Sequence, residues 1–164
     1  MSPEYLRSIM RYEPDSGDWI RLHRADREKR WNTRCAGKSA VLHGAGGYVL
    51  LTIDNRKHYG HRLAFLYMTG SIPARVDHID GNPSNCRWAN LRAATQSENM
   101  ANTGIGSRNK SGFKGVHWEN GRWCASIRKH PNKYFLGYFD NPAEAHRAYV
   151  AAASKLFGEY ANAG

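Results

Sequence analysis

Residues 76–99 read Val-Asp-His-Ile-Asp-Gly-Asn-Pro-Ser-Asn-Cys-Arg-Trp-Ala-Asn-Leu-Arg-Ala-Ala-Thr-Gln-Ser-Glu-Asn. Val76–Ile79 reads as the end of a strand, and Asp80-Gly81-Asn82-Pro83 is turn chemistry, so Asp80 is assigned to the turn. The loop continues to Asn90, and Leu91–Thr95 can pair back as a second short strand. Thr95-Gln96-Ser97-Glu98 fits a capping box, which predicts a helix carrying Asn99 in its first turns. Strand, loop, strand and helix would bring Asp77, His78 and Asn99 within reach of one point. A carboxylate and an amide oxygen suit a hard cation, and an imidazole beside them suits removal of a proton from water.

Upstream, Tyr48–Ile53 is a β-rich run behind the glycine cluster 44–47. Asp54-Asn55 reads as a hairpin turn, with Arg56–Tyr59 as the return strand. Arg56 and Lys57 beside that turn suit contact with a nucleic-acid groove. His61–Thr69 is dense in helix formers and stops at Gly70. His61 reads as a structural histidine, or as one that faces the later catalytic group. Nearer the start, Tyr5–Arg11 predicts a short helix, 13–18 a turn and Trp19–Leu22 a brief strand. Residues 24–34, rich in Arg and Lys, read equally as a solvated loop or as a phosphate-contacting arm.

Downstream, residues 103–112 are small, polar and basic, which predicts a linker. Three strand candidates follow: Gly115–Trp118, Trp123–Lys129 and Tyr134–Phe139. In the middle one, Trp123, Ala125 and Ile127 alternate with Cys124, Ser126 and Arg128. Asn141-Pro142-Ala143-Glu144 supplies an N-cap, a proline at N1 and a glutamate at N3, and Gly158 is the stop. Ala145, Ala148, Tyr149, Ala152 and Leu156 form one face of that helix. Trp118, Trp123 and Phe139 are read as core.

The 164 residues contain 24 Lys plus Arg against 14 Asp plus Glu, a formal charge of +10. An excess of this size points to a polyanion, most often nucleic acid. No run approaches the ~20 apolar residues of a membrane span, and the N-terminus does not read as a signal peptide. Cys35, Cys86 and Cys124 are odd in number and form no C-x-x-C pair, which argues against a disulfide scaffold or a thiolate zinc site. A reducing cytoplasm, of a phage-infected or bacterial cell, is the expected location.

Residues 48–102 resemble the HNH homing endonucleases of the phage and intron-encoded branch. The matching text is Gly47-Tyr48, His61-Arg62-Leu63-Ala64, Asp77-His78-Ile79-Asp80-Gly81-Asn82, Asn90-Leu91 and Ser97-Glu98-Asn99. The resemblance implies that His78 is the general base, Asp77 a metal ligand, and Asn90 the residue that holds the loop and orients the imidazole. Asn99 stands where many members have a histidine, a His-Asn-Asn variant suited to Mg²⁺, with Mn²⁺ as a substitute. Residues 113–164 resemble the DNA-binding domain of plant ethylene-responsive factors, through Gly115-Val116, Trp123–Arg128, Leu136–Phe139 and Glu144-Ala145…Ala148-Tyr149. That resemblance puts the sheet in the major groove, with Lys114, His117, Ser126, Arg128, Lys133 and Phe135 at the contact positions. Arg62 joins Arg56 and Lys57 as a DNA contact on the nuclease side.

The expected fold class is α+β. It comprises a ββα-metal nuclease core behind an N-terminal β-rich region, then a three-stranded antiparallel sheet packed on one helix. The expected boundaries are 1–103 for the nuclease domain, 104–112 for the linker and 113–164 for the DNA-binding domain. The expected activity is metal-dependent hydrolysis of double-stranded DNA, by a monomer that nicks one strand. A DNA-binding regulator with an inactive nuclease core is the alternative.

Overall fold

The computed structural model describes all residues, Met1–Gly164. The α+β class is as the sequence predicts: five helices accompany four small sheets. The chain divides into two compact units, Met1–Ala93 and Ala94–Gly164. The division falls before the capped helix, some ten residues ahead of the boundary expected from the polar linker.

In the first unit, α1 (Pro3–Ile9) is started by Ser2, whose hydroxyl accepts from the Tyr5 amide, with proline in its first turn. A hairpin follows, β1 (Met10–Glu13) with β2 (Asp18–Arg21), and Tyr12 pairs with Trp19. β1 continues straight from α1, where the sequence predicted helix up to Arg11. Helix α2 (Lys29–Cys35) occupies part of the basic stretch. The solvated loop of the sequence reading is therefore partly helical, and its one buried cation is held internally. The Asn32 side chain exchanges hydrogen bonds of 2.8 Å with the Arg24 amide and carbonyl. The Arg24 guanidinium is 9% exposed and pairs with Asp26 at 2.7 Å and Asp54 at 3.2 Å.

The second sheet has the order β3-β4-β5: β3 (Val41–His43), β4 (Val49–Ile53) and β5 (Arg56–Tyr59). Asp54 and Asn55 both have positive φ, 46° and 61°, as a two-residue hairpin turn requires. Helix α3 (Gly60–Thr69) buries Leu63, Ala64, Phe65 and Leu66 and ends at Gly70. β6 (Arg75–His78) and β7 (Leu91–Ala94) then form a two-stranded sheet around the polar loop. One core joins these pieces, with Leu6, Trp19, Leu51, Ile53, Leu63 and Cys86 among its members.

The N-terminal hairpin supports the back of the polar loop. Tyr12 Oη donates to the Cys86 carbonyl at 2.6 Å, and the Trp88 amide donates to the Pro14 carbonyl at 2.8 Å. Gly17 has φ +81°, and a Cβ there would sit 2.6 Å from the Cys86 carbonyl carbon, so the two backbones meet with no room for a side chain.

In the second unit, α4 (Gln96–Asn102) starts with the predicted capping box. The Thr95 hydroxyl accepts from the Glu98 amide, and the Glu98 carboxylate accepts from the Thr95 amide. β8 (Val116–Glu119), β9 (Arg122–Lys129) and β10 (Asn132–Phe139) form an antiparallel sheet in the order β10-β9-β8. Helix α5 (Pro142–Phe157), capped by Asn141, covers one face of it. Its buried spine is Ala145, Tyr149, Ala153 and Phe157; the predicted Ala148, Ala152 and Leu156 lie half-buried on the flank. Gly115, φ +75°, enters β8 beneath Tyr149, where a Cβ would lie 2.0 Å from the ring. Trp123 and Phe139 pack in the core, whereas Trp118 is 57% exposed and meets Trp123 edge-on.

Candidate active site

β6 ends in Asp77 and His78, both nearly buried. Arg92 on β7 holds the Asp77 carboxylate: its Nε and Nη2 each reach Oδ2 at 2.8 Å. The two side chains are 6% and 11% exposed, so the pair is poorly screened by water. Arg92 was absent from the sequence reading. Its signal was available, a lone cation on a short strand predicted to pair back beside Asp77.

Asn90 clamps the loop. Its amide nitrogen donates to Asp80 Oδ1 at 2.9 Å and to the Asn85 carbonyl at 2.9 Å, and its amide oxygen accepts from the Asp80 amide at 3.0 Å. Both N–H groups are committed to the loop. Asp80 also accepts from the Asn82 amide and the Asn85 side chain, at 2.8 and 2.7 Å. These donors hold its carboxyl below the usual carboxylate range, against the opposing effect of burial. Asp80 is therefore the hub of the turn. On the far side, Ser84 Oγ donates to the Gly47 carbonyl at 2.6 Å and ties the loop to the residue before Tyr48.

His78 faces His61, from the first turn of α3, with ring centroids 4.9 Å apart and planes at 73°. Of the two readings of His61, the structure bears out the one that has it facing His78. Tyr48 completes the cluster, 5.6 Å from His61 and 6.2 Å from His78. Burial lowers the pKa of His78, partly offset by Asp80 and Asp77. Burial, with His78 and Arg62 beside it, pushes His61 down to about 4. Both rings are thus neutral at neutral pH, and a neutral imidazole is able to accept a proton.

The shift at His61 makes a stability prediction. Below pH 6.5 the unfolded chain takes up a proton at His61 that the folded chain refuses until about pH 4. The contribution is complete well above 6.5 and falls as the pH is lowered through that window towards about 4, by up to ~1.4 kcal/mol per pH unit. Urea unfolding at pH 6.5 and pH 5 should show a loss of about 1.6 kcal/mol that His61→Gln lacks. An unchanged slope in the variant would remove His61 from that role.

The other predicted residues are distributed as follows. Asn99 lies half-buried on α4 in the second unit, while Asp77 belongs to the first. Arg56 and Lys57 are exposed on β5; Arg62 is half-buried, with Nη1 3.5 Å from the Ala74 carbonyl. On the sheet of the second unit, His117, Ser126, Arg128, Lys133 and Phe135 share the face opposite α5, as the strand parity predicts. Lys114 must be withdrawn from that set. Its ammonium donates to the carbonyls of Ala101, Thr103 and Asn162, at 2.6, 2.5 and 2.9 Å, at the end of α4. A cation there satisfies carbonyls that the helix leaves unpaired.

Residues 58–101 match the family model described as HNH endonuclease. The chain is 34% identical over 121 residues to a protein of Acanthamoeba polyphaga mimivirus named "Uncharacterized HNH endonuclease L560", covering 72% of this chain and 63% of that one. It is 47% identical over 62 residues to "Protein 3.8" of Escherichia phage T7, covering 35% of this chain and 51% of that one. The chain therefore spans between half and two thirds of the length of these curated relatives. No solved structure matches. Asp77, His78, Asn90 and Asn99 all fall within residues 58–101, the stretch that matches the HNH endonuclease family model.

Proposed function

We propose that this chain is a metal-dependent DNA endonuclease of the homing type, in which His78 is the general base. The observation that carries the reading is a buried, neutral imidazole at the end of β6, adjacent in sequence to a carboxylate and backed by a second neutral imidazole. His78 takes a proton from the attacking water, which adds to phosphorus in line with the leaving 3′ oxygen. Asn90 contributes by rigidity: it holds the loop that leaves His78, so that the imidazole does not need to be ordered at each turnover. Arg92 fixes the orientation of the Asp77 carboxylate through Oδ2.

The donor set fits a hard divalent cation. Asp77 and Asn99 are the ligands that the family resemblance implies, and a carboxylate and an amide are of the type that Mg²⁺ prefers, with Mn²⁺ as the substitute. When bound, such an ion stabilises charge on the phosphoryl oxygens and on the leaving oxygen.

The second unit serves in this reading as the DNA-reading module, of the ethylene-responsive-factor type. Support comes from the uncovered sheet face carrying His117, Ser126, Arg128, Lys133 and Phe135, and from the overall charge of +10. Arg56, Lys57 and Arg62 would contact phosphates beside the nuclease centre. With one His78 per chain, a monomer nicks one strand. The phage and giant-virus relatives fit a mobile element carried by a virus.

A supercoiled-plasmid assay tests the proposal. Open circles should accumulate with Mg²⁺ and vanish with EDTA. DNA binding without any cleavage would instead favour a regulator with an inactive core.

A further inference from the structure

Glu119 and Cys124 have no part in the function proposed above, yet they meet His117 on the uncovered face of the β8-β9-β10 sheet. His117 and Cys124 are direct cross-strand partners, and Glu119 lies two residues along β8 on the same face. His117 Nε2, a Glu119 carboxylate oxygen and Cys124 Sγ all lie within 4.8 Å of one another. Nε2 and Glu119 Oε2 are 3.7 Å apart. Cys124 is 2% exposed, whereas the side chains of His117 and Glu119 are about half exposed, so the thiol forms the floor and the other two the walls. Tyr138, the partner of Cys124 on β10, donates its hydroxyl to Glu119 Oε2 at 3.3 Å. Arg122, opposite Glu119, turns away to Asp140 at 3.0 Å and does not neutralise the carboxylate.

We propose that His117 Nε2, the Glu119 carboxylate and the Cys124 thiolate form a binding site for one borderline-soft divalent cation of the zinc class. Nitrogen, oxygen and sulfur donors together suit zinc, and a thiolate does not suit Mg²⁺. With metal–ligand bonds of about 2.0–2.3 Å, tetrahedral donors stand roughly 3.3–3.8 Å apart. Reaching that spacing needs inward shifts of about 1 Å, within the rotamer freedom of the two exposed side chains. Binding releases the thiol proton to solvent. Three protein ligands leave a fourth position for water, and the Tyr138 hydrogen bond orients the carboxylate as outer partners of metal ligands commonly do. Linear spacing hid the site. Residues 117, 119 and 124 match no metal-binding text, and only the register of the hairpin brings them together. Occupancy would add positive charge to the face proposed to meet DNA; that consequence rests on the DNA reading, and the site itself does not.

The test uses the reduced full-length chain and Co²⁺ as a spectroscopic probe, with no DNA present. One equivalent should produce a thiolate-to-cobalt charge-transfer band, unaffected by excess Mg²⁺ and bleached by Zn²⁺. Cys124→Ser should abolish the band, Cys35→Ser and Cys86→Ser should retain it, and His117→Ala should weaken binding at least about tenfold. An absent band, or one that survives in Cys124→Ser, overturns the proposal. Should Cys124→Ser fail to fold by circular dichroism, the exposed His117→Ala decides, and unchanged Co²⁺ affinity there refutes the site.

Discussion

His78→Ala should lower the rate of plasmid cleavage by about 10²–10⁴-fold, the range that general-base catalysis supplies. DNA affinity, read by electrophoretic shift, should stay within about twofold, because a side chain 7% exposed presents little surface to a duplex. The substitution also opens space in a buried cluster with His61 and Tyr48, so His78→Gln, closer in volume, belongs beside it. Both variants should lose cleavage to a similar extent whatever their stability. Parallel loss of binding and cleavage would argue that His78 only supports the fold. The pH profile supplies an independent reading. A base must be neutral, and burial depresses the pKa of His78, so cleavage should persist to a pH below that of a free imidazole before it falls.

Asp77→Ala should have two consequences at once. The chain should lose Mg²⁺-dependent cleavage, because the carboxylate assigned to the metal is gone. It should also lose stability, because the Arg92 guanidinium, 11% exposed, is deprived of the carboxylate that neutralises it. Removal of one member of a buried ion pair costs up to about 3–5 kcal/mol, equivalent to a fall of order 10 °C in melting temperature for a chain of this size. The double variant Asp77→Ala with Arg92→Met separates the effects. It should recover much of the stability, because replacing both charges by apolar groups removes the buried cation along with its carboxylate, and it should recover none of the activity. Recovery of cleavage in the double variant would remove Asp77 from the metal site. Thermal melts and nicking assays on the same preparations distinguish these outcomes.

Much of the fold was legible because it is written in local chemistry. The capping box Thr95–Glu98, the Asn141–Pro142 start and Gly158 stop of α5, the stop at Gly70 and the turn at Asp54-Asn55 all appear where short-range rules put them. The strand parity of β9 was equally readable, because period-two alternation depends on neighbours in sequence. Local rules failed where packing from a distance decides. Helix α2 forms in a basic stretch with no apolar stripe, held by the reciprocal Asn32–Arg24 hydrogen bonds. The α5 spine keeps the predicted Ala145 and Tyr149 but continues through Ala153 and Phe157, which pack against the sheet, while Ala148, Ala152 and Leu156 lie half-buried beside them. Lys114 carries the right charge for DNA, and only the position of the α4 terminus shows that its donors are engaged.

The stretch 76–99 shows the same division. Its residue types determine the chemistry available, a carboxylate, an imidazole and amides around a turn, because those properties belong to the side chains themselves. Tertiary structure decides what each group faces. Arg92 meets Asp77 through the pairing of β6 with β7, and His61 meets His78 because α3 starts against β4. Asn90 turns inward to the loop because the N-terminal hairpin, some seventy residues earlier in the chain, holds the backbone at Cys86 and Trp88. Desolvation, which keeps His78 neutral, is a property of the assembled core and is carried by no residue of that stretch alone.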